Sequence, residues 1–195
     1  RDRSEYWQLY IKGRPSVPNV YTDFGNKVGN GLEQNDFTSF TPSEVEVLKQ
    51  VPRLDEFERM VTLDFGEHDF YMKGFIDTNV SNLHHLIDYK TGGKGKEIQY
   101  YKPNYTQLCY YALALRQETG VTPKLAQVVF IEREGNPKQG HELKVANAKP
   151  IVIDIDITYN RLKKVYHETI EIAKEITEFY RIYRPKDYSL LPTLD

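Results

Sequence analysis

Apolar positions recur along this chain with two different periods. Residues 57–65 alternate apolar and polar side chains, residues 66–69 (Gly-Glu-His-Asp) interrupt them, and 70–77 resume, which predicts an antiparallel hairpin. A third strand is expected at about 83–90, and a strongly apolar one at 124–133, whose core Ala126-Gln-Val-Val-Phe-Ile131 predicts a central position in a sheet. Residues 141–145 are expected to pair back, and 151–155 to form a further strand in which Asp154 and Asp156 alternate with isoleucines and face solvent. Helical spacing is found elsewhere. A short helix at 4–12 would be capped by Ser4 and broken by Arg14-Pro-Ser-Val-Pro18; a second, capped by Asp23, carries Phe24, Val28 and Leu32 on one stripe. Ser43 is expected to cap a short helix that Pro52 ends, and a helix from Pro103 to Thr119, stopped at Gly120, buries Leu108, Tyr111, Ala112 and Leu115. The last helix, 159–182, is long and amphipathic, with Leu162, Val165, Ile172, Ile176 and Phe179 as core candidates.

Composition narrows the class. A chain of 195 residues suits one domain with a full core, here expected over 1–195 with N-terminal helices (about 1–50) and the C-terminal helix (about 158–182) packed on it. Absence of a long apolar run argues against a membrane span, and the polar start argues against a signal peptide, so a cytoplasmic protein of a bacterial or phage-infected cell is expected. The single Cys109 excludes an internal disulfide and cannot alone hold zinc or an iron–sulfur cluster. A net charge of −2 gives no general attraction to nucleic acid, so any such contact must be local.

The chemistry concentrates between Gly74 and Lys90. Asp77 follows Phe75 and Ile76, and Asp88 follows Leu86 and Ile87, so both carboxylates emerge from partly buried strands. Unpaired buried carboxylates are costly, and Mg²⁺ or Mn²⁺ held by oxygen ligands would cancel their charge. Asp88 and Lys90, two apart on a strand, leave it on the same face. A metal, a water and a cation for developing phosphate charge are the parts that phosphodiester hydrolysis needs.

Gly-x-x-Asp at 74–77, Ile-Asp-Tyr-Lys-Thr-Gly at 87–92 and Gln-x-x-x-Tyr at 107–111, in that order, resemble the RecB-like branch of the PD-(D/E)xK nuclease superfamily. The resemblance implies an α/β fold with a central mixed sheet flanked by helices on an αβββαβ core, and a metal-dependent DNA nuclease. Asp77, Asp88 and the Tyr89 carbonyl would hold the metal, Lys90 would serve the attacking water, and Gln107 would order Lys90 or a phosphate, with Tyr111 supporting the pocket. One position departs: where the family's first helix carries a histidine, this chain has Gly29, and Glu33, one turn on, is the candidate to complete the metal shell. Glu58 is expected to face solvent.

The stretch 91–102 is glycine-rich and basic, and Lys94, Lys96, Lys102, Tyr100 and Tyr101 are candidate DNA contacts. No nucleotide-binding motif is present, so a helicase activity would come from a recombination partner; a homo-oligomer is the other assembly expected. Many single-domain RecB-like relatives act at DNA ends, which implies an exonuclease of recombination, repair or phage DNA processing. The alternatives are an endonuclease, and a catalytically weak or inactive nucleic-acid-binding module of the same fold.

Overall fold

The computed structural model describes residues 19–68, 70–93 and 97–183; the helix expected at 4–12, Lys94, Lys96 and the chain beyond 183 lie outside the described residues. The chain divides into two compact units, residues 19–166 and residues 1–18 with 167–195. The first unit contains helices α1 (Val20–Gln34) and α2 (Pro42–Leu48), strands β1 (Glu56–Asp64), β2 (Tyr71–Asn79) and β3 (His85–Gly92), helices α3 (Glu97–Asn104) and α4 (Gln107–Thr119), and strands β4 (Leu125–Glu134), β5 (Lys144–Val145) and β6 (Ile151–Asp154). Helix α5 (Tyr159–Tyr183) starts in this unit, and its residues from His167 onward belong to the second, where Ile172 and Ile176 are exposed rather than buried.

The strands form one mixed sheet in the order β1-β2-β3-β4-β5, with β6 also on β4. The β1–β2 and β2–β3 pairs are antiparallel, β3–β4 is parallel, and β5 and β6 each run antiparallel to β4. A parallel pair requires a crossover, and α3 and α4 supply it. On β3, neighbouring Leu86 and Ile87 are both fully buried, so helices cover the sheet on both faces there. Phe24, Val28 and Leu32 of α1 pack with Ile87, Val129 and Ile131. Each fully buried leucine or isoleucine contributes about 1.5–3 kcal/mol. Cys109 and Ala112 of α4 pack with Leu162 and Val165 of α5.

Local chemistry moved three predicted boundaries. Asn19, not Asp23, caps α1, because its side chain accepts from the Tyr21 and Thr22 amides at 3.0 Å. Thr41, not Ser43, caps α2: Pro42 takes the first helical position, and Thr41 forms a capping box with Glu44. Glu44 is 5 % exposed, and its Oε1 accepts from the Val145 amide at 2.9 Å, which ties α2 to β5. Burial would raise this carboxyl, but hydrogen bonds from Thr41 and Val145 outweigh it and hold Glu44 below the usual carboxylate range.

The helix expected at 103–119 is two helices. Pro103 lies in the last turn of α3, where its missing N–H costs a ladder bond. The carbonyls of Lys102, Pro103 and Tyr105 accept from the Arg161 guanidinium at 3.0, 3.4 and 2.9 Å. The chain therefore turns at Tyr105, and α4 starts afresh at Gln107.

Candidate active site

Strands β2 and β3 pair only at Thr78↔Ile87 and Asn79↔Leu86, then part. The Asp77 carboxylate enters the gap, and its Oδ2 accepts from the Tyr89 amide at 2.6 Å. In an extended strand a residue's N–H and C=O leave the same edge, so the Tyr89 carbonyl also faces the β2 side. Asp88 is fully buried. Its Oδ2 lies 2.6 Å from Lys90 Nζ, a pairing that follows from their two-residue spacing, while its Oδ1 has no hydrogen-bond partner.

Helix α4 and the turn before it cover these groups. Tyr105 donates to Asp88 Oδ2 at 2.7 Å, and its oxygen also lies 2.8 Å from Gln107 Oε1. Lys90 Nζ sits 5.6 Å from the centre of the Tyr105 ring. Gln107 Nε2 donates to the Tyr111 hydroxyl at 2.5 Å. Tyr111 in turn presses on β2: a Cβ added at Gly74 would lie 2.6 Å from its ring. The two sequence motifs, Gly-x-x-Asp and Gln-x-x-x-Tyr, therefore interlock at Gly74. Burial, then the charge of Asp88, pushes the Tyr105 hydroxyl well above the usual phenol range, so it keeps its proton and donates. Burial likewise moves Tyr111 up to about 12, and raises Tyr89, whose hydroxyl donates to the Pro52 carbonyl at 2.8 Å.

A cavity of about 480 Å³ opens beside Asp77, between α1 and the sheet. Asp77, Tyr89 and Lys90 line it from the strands, and Gly29 and Glu33 from α1. Nothing stands within 4 Å of a Cβ placed on Gly29, so the position where the resemblance implies a histidine is open space. Glu58 lines the same cavity. In the β1–β2 register it falls opposite Asp77, and its φ of 51° places a non-glycine residue in the left-handed region within a strand. Such a conformation costs about 1–3 kcal/mol and is concentrated at functional sites. Loss of hydration where it lines the cavity, then the charge of Glu33, raises the carboxyl of Glu58.

Sequence reasoning missed Tyr105, which lay hidden because the predicted helix ran through it, although a tyrosine two residues before Gln107 was visible. Glu58, expected to face solvent, is exposed, and it also lines the cavity; its left-handed backbone is what a strand's alternation does not foretell. Of the candidate nucleic-acid contacts, Tyr100 is exposed on α3, and Tyr101 is half-buried, its ring centre 5.5 Å from that of Tyr105. Lys102 is exposed, and its carbonyl is one of those that Arg161 binds.

A model of the PD-(D/E)XK nuclease superfamily matches residues 23–183, a stretch that contains all six described strands and the whole of this site. The chain belongs to that superfamily. No curated protein matches it by sequence. Among solved structures, that of a "putative exonuclease" from Eubacterium rectale superposes with a TM-score of 0.57 at 14 % identity, covering 96 % of this chain and 78 % of that one. At that identity the likeness extends to the fold, which agrees with the mixed sheet and flanking helices expected from the sequence.

PD-(D/E)XK nucleases generally use divalent metal ions, and the residues of this one fit such a group. A fully buried carboxylate with one oxygen lacking any partner is costly by itself and offers a ready lone pair to a cation. Asp77 is pushed up to about 7, by burial first and then by the charge of Asp88, a repulsion that a cation between them would reverse. Among the described residues no group of three or more His, Cys, Asp or Glu side chains is arranged to hold a metal. Two carboxylates with carbonyl, water and phosphate oxygens are nevertheless a donor set suited to Mg²⁺, which keeps several of its waters. No helix among the described residues is long and apolar enough to cross a membrane.

Proposed function

We propose that this nuclease hydrolyses phosphodiester bonds in DNA with Mg²⁺ or Mn²⁺, acting as an exonuclease in recombination, repair or phage DNA processing. The observation that carries the reading is the buried Asp88, tied through one oxygen to Lys90 and unpartnered at the other, beside an Asp77 with a raised carboxyl.

Asp77, Asp88 and the Tyr89 carbonyl would hold the cation, with Glu33 and Glu58 in reach of its waters across the cavity. Bound there, the cation supplies Lewis acidity to a phosphate oxygen and a bound water at neutral pH. Lys90, fixed as an ammonium by Asp88 and partly exposed to the cavity, orients the attacking water and offers positive charge to the pentavalent phosphorus. Gln107, through Tyr111 and Tyr105, keeps the α4 side of the site in register. Lys94, Lys96, Tyr100, Tyr101 and Lys102 form the contact to the strand, and the solvent-exposed Tyr100 offers its face to a base.

The test is degradation of end-labelled linear single- and double-stranded DNA beside a closed circle, with Mg²⁺ or Mn²⁺, for the native chain, Lys90→Ala and Asp88→Ala. Cleavage of linear substrates by the native chain, lost in both variants, is the expected result; cutting of the circle would make the enzyme an endonuclease. The second reading, a nucleic-acid-binding module with weak or no chemistry, is favoured by the open space at Gly29. DNA binding without cleavage by either metal would select it.

A further inference from the structure

Tyr105 belongs to none of the motifs that carry the resemblance, yet it touches three residues of the site. Its hydroxyl donates to Asp88 Oδ2 at 2.7 Å and lies 2.8 Å from Gln107, while its ring lies under the Lys90 ammonium at 5.6 Å. We propose that Tyr105 is a positioning residue of the active site: it fixes the plane of the Asp88 carboxylate through one oxygen so that the other faces the cation, and it seats Lys90 from below. The inference rests on the nuclease reading above for the identity of the cation and the reaction.

The geometry explains why a tyrosine is required. Asp88 Oδ2 already meets Lys90 at 2.6 Å. With that single flexible partner the carboxylate can turn about its terminal torsion, which is broad in aspartate. A second donor on the same oxygen, carried by a rigid ring, removes the freedom. It also satisfies Oδ2 completely, which leaves Oδ1 as the atom without a partner. The ring face adds an attraction for the ammonium, so one side chain sets both the acid and the lysine.

Tyr105 is itself held from behind. The Arg161 guanidinium, from the first turn of α5, grips the carbonyls of Lys102 and Pro103, in the last turn of α3, and of Tyr105, in the break before α4. Tyr101 meets the Tyr105 ring edge-on, with ring centres 5.5 Å apart and planes at 75°. A side chain anchored through its own backbone, its ring face and its hydroxyl cannot drift with the substrate. Partners that orient metal ligands in this way typically change metal affinity or rate by about 10- to 100-fold when removed.

The test compares the native chain, Tyr105→Phe and Tyr105→Leu. Mg²⁺ affinity is measured by calorimetry in the absence of DNA, and kcat and KM are measured on the linear substrate. Tyr105→Phe keeps the ring and its packing, so thermal stability stays near native, but Mg²⁺ binding weakens about tenfold and kcat falls at least tenfold with KM within about twofold. Tyr105→Leu loses the ring as well and falls further in kcat. If Tyr105→Phe restores Mg²⁺ affinity and kcat to native values while Tyr105→Leu does not, the residue is only packing and the proposal is overturned. If the native chain binds Mg²⁺ but cuts nothing, the nuclease reading fails, and the Mg²⁺ affinity of Tyr105→Phe still decides the role of Tyr105. A native chain that binds neither Mg²⁺ nor Mn²⁺ overturns both.

Discussion

At Gly29 a missing side chain and an available space coincide. The residue lines the active-site cavity with Glu33, Asp77 and Lys90, and a Cβ built on it meets nothing. Gly29→His therefore introduces an imidazole without a clash and replaces a helical glycine, which is itself favourable by roughly 0.5 kcal/mol. The expected outcome is Mn²⁺ binding about tenfold tighter by calorimetry, equivalent to about 1.4 kcal/mol, with a small rise in Tm. An unchanged metal affinity would mean that Glu33 and Glu58 already occupy the ground that a histidine would take. Asp77, Asp88, Lys90 and Gln107 lie near one another in the fold, a juxtaposition that follows from their order and spacing on two strands and one helix. Tyr105 and the left-handed backbone at Glu58 were not legible, because each depends on a departure that no periodicity encodes: a break between α3 and α4, and a positive φ in β1.

Elements join through contacts that a sequence pattern leaves out. Gly74 accommodates the Tyr111 ring, and Gly74→Ala drives a methyl group to 2.6 Å from that ring, forcing either Tyr111 or β2 aside. Over-packing of this kind costs about 1–3 kcal/mol. The loss should appear in urea unfolding, together with reduced nuclease activity, because Tyr111 is bonded to Gln107; in a Tyr111→Ala background, where the obstacle is gone, Gly74→Ala should cost much less. Glu44 gives a similar test away from the site. Its carboxylate closes the cap of α2 and satisfies the Val145 amide, so Glu44→Ala should lose roughly 3 kcal/mol in denaturant unfolding, about 1 from the cap and about 2 from the stranded N–H. The sequence placed a glutamate near the positive end of a short helix correctly; its reach to β5, 101 residues away, was beyond any local pattern. Strand existence, by contrast, followed from alternation in the hairpin and from a continuous apolar run in β4, while the mixed sheet was what the family resemblance implied.

For the whole molecule, stability without metal should depend on pH through Asp77. Its carboxyl is raised to about 7 in the fold from an ordinary value of 3.8. Between these limits the native state holds a proton that the unfolded chain has released, so the contribution of this group to stability decreases as pH rises through the window and is gone above about 7. In EDTA, Tm should fall from pH 5 to pH 8 more steeply for the native chain than for Asp77→Asn, and added Mg²⁺ should raise Tm more at pH 8 than at pH 5.5. Parallel profiles for the two proteins would rule out Asp77 as the source.

The grip of Arg161 on the carbonyls of residues 102, 103 and 105 has a consequence in time as well as in space. During synthesis the strands bearing Asp77, Asp88 and Lys90 leave the ribosome well before residue 161. A nascent chain that has yet to release residue 161 holds the acids and the lysine, but not the bolt behind Tyr105. On this account cutting power arrives late in translation, and an abandoned fragment ending before Arg161 is left a blunt instrument among the cell's nucleic acids.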